Sequence, residues 1–321
     1  MAGLSERILA GDVRALARLL TFLENGDDVG LQALDLLFVH TGRAWITGIT
    51  GPPGGGKSTL VNELIRHYRK ANLRVAVIAI DPSSPLTGGA TLGDRIRMTE
   101  WHGDPGVFIR SMASRQFGGG LAQNTLAVAH AFDAAGFDHI LIETVGAGQD
   151  EVAIASLALT TILVQVPGTG DGVQTLKAGA LEIGDILVVT KADRPEANEL
   201  ARDLRRLRTL VFEPATDPNH WDALVIKTSA VTGEGIAELA DAIEQHRNWL
   251  ESGNRVRKRR QVIAGTEIAT RVESGLRRRL LERRDGDENL ERLVDDVVAR
   301  RLTAHRAAER ILAELRQGER Q

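Results

Sequence analysis

The sequence predicts an α/β fold: a mostly parallel sheet covered by helices on both faces, with helical extensions at the N- and C-terminal ends. Three observations predict it. Short apolar runs recur between Trp45 and Ile226 with helical stretches between many of them. One run leads through a glycine-rich turn into a helical pattern. Both ends of the chain carry apolar residues at helical spacing only.

The first segment, residues 1–42, reads as two helices. Leu4, Ile8, Leu16, Leu19, Leu20 and Leu23 recur at helical spacing, Asn25-Gly26-Asp27 breaks the pattern, and Leu31, Leu34, Leu37 and Phe38 resume it. The rhythm changes from Ala44. Apolar runs at Trp45–Ile49, Val75–Ile80, Val107–Ile109, Ile140–Ile142, Thr161–Val166, Ile186–Val189 and Leu224–Ile226 lack a polar face. Strands buried on both faces and separated by helices build a parallel sheet. This middle segment spans residues 43–251. Residues 252–321 are helical again: Val272, Leu276 and Leu280 share a face, as do Leu290, Leu293, Val294, Val297 and Val298. Such stripes must be buried, against the sheet domain or against a second subunit. Charge marks the same boundary near Ser252-Gly253-Asn254. Residues 251–321 hold 18 Lys+Arg and 13 Asp+Glu, whereas residues 1–250 hold 22 and 30.

Composition excludes several classes. The 321 residues carry a net charge of −3, which argues against a nucleic-acid partner that needs a basic surface. No cysteine is present, so disulfides, thiolate metal sites and cysteine catalysis are excluded. No apolar run approaches the roughly 20 residues that cross a bilayer. With no signal-peptide core at its start, a soluble cytoplasmic protein without a membrane partner is expected.

Gly51-Pro52-Pro53-Gly54-Gly55-Gly56-Lys57-Ser58 fits the pattern GxxxxGK[ST], between an apolar run and Leu60, Val61, Leu64 and Ile65 at helical spacing. Glycines let successive backbone N–H groups converge on an anion, and the following helix presents its positive end. The fold is therefore expected to be that of a P-loop NTPase. Lys57 reaches β- and γ-phosphates, and the Ser58 hydroxyl ligates Mg²⁺.

Asp81 ends RVAVIAID and Glu143 ends HILIET. Both stand at carboxyl ends of strands, where ligands bind in open parallel sheets. A carboxylate beside a triphosphate implies a cation between them, again Mg²⁺. Asp94 is a further candidate for the inner or outer shell of the metal. Gly146 is placed for its N–H to touch a γ-phosphate. Gln149 follows, as a water-positioning group or as a turn amide. Farther on, Thr190-Lys191-Ala192-Asp193 follows an apolar run. A carboxylate only accepts hydrogen bonds, so Asp193 pairs with the two adjacent donors of guanine and rejects adenine. The backbone of Lys227-Thr228-Ser229-Ala230 would support the guanine oxygen.

Taken together, GPPGGGKST (51–59), AIDPSSP (79–85), IRSMASR (109–115), LIETVGAGQ (141–149), PGTGDGVQTLKAG (167–179) and TKAD (190–193) resemble the methylmalonyl-CoA mutase-associated GTPases of the MeaB/ArgK type. The resemblance implies that Gly51, Pro53, Gly54, Gly55, Gly56, Lys57, Ser58 and Thr59 hold the phosphates and Mg²⁺. Gly146, Lys191, Asp193, Ser229 and Ala230 complete a GTP/GDP site. It makes Asp81 the switch I acid and, with Asp94, a metal-site acid, Glu143 and Gly146 a second switch, and Asp171 and Lys177 part of an extra switch loop. It further implies a GTP-hydrolysing chaperone that gates adenosylcobalamin loading and protects an adenosylcobalamin-dependent acyl-CoA mutase. Residues 252–321 would then be a homodimerisation segment. Two residues depart from the family pattern. Thr190 stands where Asn is usual, and Gly55 adds a third consecutive glycine.

The reaction expected is phosphoryl transfer from GTP to water by positioning and charge stabilisation, with Mg²⁺ and Lys57 carrying most of the charge and Glu143 and Gln149 beside it. Arg95, Arg97, Arg110 and Arg115 lie in loops that face the nucleotide or solvent, and none is assigned as a finger. A nickel-type metal-insertion GTPase is one alternative, disfavoured by the lack of cysteine and the scattered histidines. A transport-associated protein kinase is another, disfavoured by the lack of an HRD-type loop.

Overall fold

The computed structural model describes residues 2–82, 99–114, 120–144, 150–168, 182–211, 220–284 and 288–318. The chain divides into two compact units, Met1–Ile268 and Ala269–Gln321.

The first unit is built on seven parallel strands: β1 (Trp45–Thr50), β2 (Val75–Pro82), β3 (Val107–Ser114), β4 (His139–Thr144), β5 (Thr160–Gln165), β6 (Ile186–Val189) and β7 (Leu224–Lys227). Their order is β3-β2-β4-β1-β5-β6-β7. All seven apolar runs of the sequence are strands. The register places Ile49 of β1 beside Glu143 of β4 on one side and Ile162 of β5 on the other. The chain turns from one half of the sheet to the other at β1. This switch point opens a crevice at the carboxyl ends of the strands.

Alternation along each strand divides the core. Val75 and Val77 of β2 face one side; Ala76, Ile78 and Ile80 face the other. On the first side lie α4 (Lys57–Lys70) and α8 (Ile236–Glu251), whose Leu60, Leu64, Leu239 and Ile243 meet Ile49, Leu141 and Ile162. On the second lie α2 (Val13–Asn25), α3 (Asp28–Leu37) and α5 (Gly120–Ala134), whose Leu16, Leu20, Leu34 and Phe132 pack over Ile46, Ile140 and Ile142. At the far edge, α7 (Ala197–Val211) sets Leu200 and Leu204 on Leu163 and Leu187. The short helix α6 (Asp150–Ala155) packs beside β1.

Two expectations are corrected here. The N-terminal segment has three helices, not two, because α1 (Ala2–Leu9) ends before Gly11 and α2 begins after Asp12. Asp12 accepts hydrogen bonds from the backbone N–H of Arg14 and Ala15 and so caps α2. The break kept Ile8 and Leu16 in helical phase, which hid it. Arg110, placed in a loop by the sequence, lies in β3 and pairs with Glu24 of α2. Its charge ties an edge strand to a covering helix. Arg95, Arg97 and Arg115 lie outside the described residues.

Helix α9 (Arg255–Arg284) starts in the first unit and runs into the second, where α10 (Glu288–Val298) and α11 (Ala304–Gly318) pair. The charge boundary of the sequence falls on the turn between α8 and α9, where Gly253 has φ 71°. The expected stripe on α10 is divided. Leu293 is buried, whereas Val294 and Val298 are exposed. Among the described residues, no helix is long and apolar enough to cross a membrane.

Candidate nucleotide site

The phosphate loop leaves β1 at the switch point. Gly51 has φ 143°, and a Cβ there would lie 2.4 Å from the carbonyl oxygen of Val164 on β5. Only glycine lets the chain turn so close to its neighbour strand. The loop ends at Gly56, and Lys57, Ser58 and Thr59 form the first turn of α4. The first turn of a helix points its backbone N–H groups and its positive end outward, the geometry that suits an anion. Gly55, the unusual third glycine, donates its N–H to Pro52, and a Cβ on it would lie 2.8 Å from that carbonyl. Its lack of a side chain therefore matches a tight turn. Pro53 and Gly54 are exposed at the loop tip.

Lys57 is buried and donates to the carbonyls of Gly51 (2.8 Å) and Pro52 (2.9 Å). Its ammonium is thus held inside the loop that would wrap a phosphate. Ser58 donates to Oε1 of Glu143 at 2.6 Å, and both residues are buried. The sequence placed these two 85 positions apart on separate motifs; the β1–β4 pairing brings them together. A hydroxyl and a carboxylate are the hard oxygen donors that Mg²⁺ takes, with water and phosphate completing its shell. Ser58 and Glu143 thus fit that ion. Below them the hydroxyls of Thr50 and Thr144 join the ends of β1 and β4 at 3.2 Å.

The base-side motif follows β6, two strands from β1. At about 4.8 Å per strand this separates the two loops by about 10 Å, which suits a nucleoside lying between its base and its phosphates. The two halves are tied. Thr190 donates to the carbonyl of Gly55 at 2.7 Å, and Lys191, with φ 56°, donates to Gly54 at 3.1 Å. Asp193 is exposed, and its carboxylate accepts from the Ser229 hydroxyl at 2.7 Å. That bond holds the Asp193 carboxyl below its ordinary pKa. Ala192 donates to Thr228 and Thr228 to Val189, which fixes one loop on the other.

Here the structure corrects one expectation. The backbone N–H of Ser229 is spent on Glu234, so this residue serves through its hydroxyl, as a support for Asp193. Ala230 follows it in the same turn. The site also uses Thr190 in a way the sequence did not reveal, since nothing in a single hydroxyl announces a bond across 135 positions. Thr59 is exposed at the helix start. Asp81, one residue before the end of β2, pairs by its backbone with Ala113 of β3. Asp94, Gly146, Gln149, Asp171 and Lys177 lie outside the described residues.

A parallel sheet with a glycine-rich phosphate loop after its switch-point strand, an acid on the adjoining strand and a TKAD motif two strands away defines a P-loop GTPase. Comparison with known proteins agrees. The model of the family "Methylmalonyl Co-A mutase-associated GTPase MeaB" matches residues 16–285. A protein of Pyrococcus abyssi is 45% identical over 312 residues, 97% of this chain and 96% of that one. The fused isobutyryl-CoA mutase of Cupriavidus metallidurans is 40% identical over 205 residues, 63% of this chain and 19% of that protein. Among solved structures, the LAO/AO transport system kinase superposes with a TM-score of 0.73 at 24% identity, covering 98% of this chain and 97% of that one. At that identity the likeness bears on the fold. The chain belongs to the MeaB family of methylmalonyl-CoA mutase-associated GTPases, and it is a GTP hydrolase.

Proposed function

We propose that this GTPase is a cytoplasmic chaperone of an adenosylcobalamin-dependent acyl-CoA mutase, gating cofactor loading and protecting the mutase according to the nucleotide it holds. One observation carries the reading: a relative whose name is a fused isobutyryl-CoA mutase matches 205 residues of this chain. A partner that one genome joins to a mutase is expected to meet a mutase when it is separate.

The site supports the hydrolytic half. Asp193, held by Ser229, accepts the two donors of guanine. Lys57 and the first turn of α4 bind the β- and γ-phosphates. Ser58 and Glu143 would hold Mg²⁺, which when bound neutralises charge that develops on the phosphates. Gly146 and Gln149, with Asp94, Asp171 and Lys177, would form the loops that respond to the γ-phosphate. The chain then hydrolyses GTP slowly alone and faster when a mutase orders those loops. The exposed apolar residues of the second unit would form a homodimer.

Co-purification with candidate mutases in GTP, GDP and a non-hydrolysable analogue tests this. The expected result is retention that depends on the nucleotide, with hydrolysis accelerated in the complex. Rapid hydrolysis by the isolated protein, unchanged by any mutase, overturns it.

A further inference from the structure

A cavity of about 450 Å³ lies between the end of α7, the last turns of α8 and the start of α9. That volume falls in the range of small-molecule sites. Gly184 and Asp185, which precede β6, and Ala223, which precedes β7, are part of its wall. It therefore lies at the amino ends of these strands, whereas the nucleotide loops leave the carboxyl ends. Asp185 and Thr190 flank β6 on its two ends. At about 3.3 Å per residue they stand about 17 Å apart, so the cavity is separate from the guanine site.

One side of the cavity is aromatic. Trp221 lies 4.8 Å from His246 and 5.5 Å from Trp249 between ring centroids, and His246 stacks on Trp249 at 5.7 Å. Two of the chain's four tryptophans thus meet here. Neither indole is fully buried. The Trp221 Nε1 donates to the carbonyl of Asp185 at 2.8 Å, which fixes the ring in place. His246 adds no charge at neutral pH, because burial lowers its pKa to about 3.

The other side is basic. Arg208, Arg255, Lys258 and Arg259 line it, against Glu182 and Asp185. Two of these charges have counter-charges: Arg259 lies 3.7 Å from Asp185, and Arg208 pairs with the exposed Asp222. Arg255 is different. Its Nη1 donates to the carbonyls of Trp249 and Ser252, neutral oxygens that aim the guanidinium without cancelling its charge. It lies 4.8 Å from the centroid of the Trp249 ring. Lys258 stands exposed one turn farther along α9. A chain with a net charge of −3 therefore gathers positive charge beside a pair of indoles. The carboxylate of Asp185 is turned to the backbone N–H of Thr161 at 2.7 Å, so it is not set out to read a base as Asp193 is. Burial also lowers the pKa of Arg208, a cost that a nearby anion would relieve.

We propose that this cavity is a second ligand site, for a nucleoside phosphate whose planar base stacks on Trp221 and Trp249 while its phosphate meets Arg255 and Lys258. Stacking tolerates any base, and an arginine held over an indole extends the platform. The site thus selects a ring joined to a phosphate and not guanine in particular.

The test titrates the full chain with AMP, adenosine and inorganic phosphate, followed by calorimetry and by tryptophan fluorescence. AMP is expected to bind one per chain and to change the fluorescence. Adenosine and phosphate alone should each bind at least about tenfold more weakly, the scale for losing one base stack. Lys258→Glu changes an exposed side chain and should weaken AMP at least about fivefold, as expected for a unit charge at contact distance in water, with GDP affinity within twofold of wild type. Trp221→Leu should abolish most of the fluorescence change. Asp193→Ala should do the reverse of Lys258→Glu, weakening GDP and leaving AMP within twofold. No AMP binding up to about 1 mM overturns the proposal. So does phosphate that binds as tightly as AMP, AMP binding indifferent to Lys258→Glu, or AMP binding lost in Asp193→Ala, which would put AMP in the guanine site.

Discussion

The two compact units differ in how much closed apolar core each holds. In the first, Ile49, Leu64, Val77, Ile140 and Leu187 reach zero exposure between sheet and helices. In the second, Leu293 and Ala307 are buried, while Val294, Val298 and Leu312 are 53%, 76% and 45% exposed and Val272 is 56% exposed. The first unit leaves single residues such as Val39 and Val231 exposed, yet it closes a core between sheet and helices and so can hold a site to a fixed geometry. The second leaves apolar surface in water, at about 25 cal/mol per Å² of lost burial. The contrast is between a unit that closes a core around a site and one that buries little of its own apolar surface.

The sharpest break in that comparison is in the phosphate loop. Lys57 is buried but its substitution removes a charge and not a core contact. Lys57→Ala is expected to lower GTP hydrolysis by about 10²–10³-fold, the scale for losing one preorganised charge-stabilising group, with little change in melting temperature. If melting fell as steeply as activity, Lys57 would be a structural residue of the first unit and the contrast would have to be redrawn. Single-turnover hydrolysis and thermal unfolding measure the two sides.

Much of this was legible in the chain. Runs such as RVAVIAID have no polar face, so they announced a two-sided parallel sheet, and all seven formed. GPPGGGKS carries its own backbone geometry, so the loop was legible as well. What stayed hidden depends on contacts between distant positions. Asp133 caps the entry to β1 by accepting from the backbone of Gly42, Arg43 and Ala44, yet in sequence it is one more acid on a helix. Thr190 read only as a departure from the usual Asn, because its partner, the Gly55 carbonyl, lies on another loop. Arg259 was one of many arginines, yet its guanidinium donates to the carbonyls of Ala155 and Ala158. How the stripe on α10 divides stayed hidden for a related reason: apolar spacing gives the face of a helix but not which neighbour covers each part of it.

The units should also differ in their response to acid. His139 is stacked on Tyr68 with ring centroids 3.9 Å apart and is buried in the first unit. Burial, aided by Arg247, lowers its pKa from 6.5 to about 4. His246, buried beside Trp221 and Trp249, is lowered to about 3, again first by burial. A histidine with a depressed folded pKa binds its proton more readily when unfolded. It therefore contributes stability above pH 6.5 that is lost as pH falls through 6.5 toward the folded value. For His139 the loss is on the order of 3 kcal/mol across that window. His305 of the second unit is 81% exposed. Asp185 of the same unit as His139 acts the other way, since burial raises its pKa to about 6, so the variant is the test: His139→Phe should make urea stability fall less between pH 7 and pH 4.5 than it does in wild type. A fall unchanged in that variant would remove His139 from the account.

The smallest effect on folding should come from the exposed face of the second unit, and there it carries the most information. An interface test aimed at Leu293 would mislead, since Leu293 is 3% exposed and its replacement by Asp would disrupt the pairing of α10 and α11 itself. Val294 and Val298 lie one turn apart on α10 and are open. Asp at both positions adds charge where no core contact is lost, so unfolding free energy should change by about 0.5 kcal/mol or less. If a second copy covers this face, the doubled substitution buries two charges against apolar surface in each subunit, a cost of several kcal/mol that dissociates the dimer. Light scattering on wild type and Val294→Asp/Val298→Asp separates the cases. A dimer that becomes a monomer with unfolding unchanged places the interface on α10. A dimer that survives intact shows that the subunits meet through another surface, and it leaves the exposed valines for a different partner.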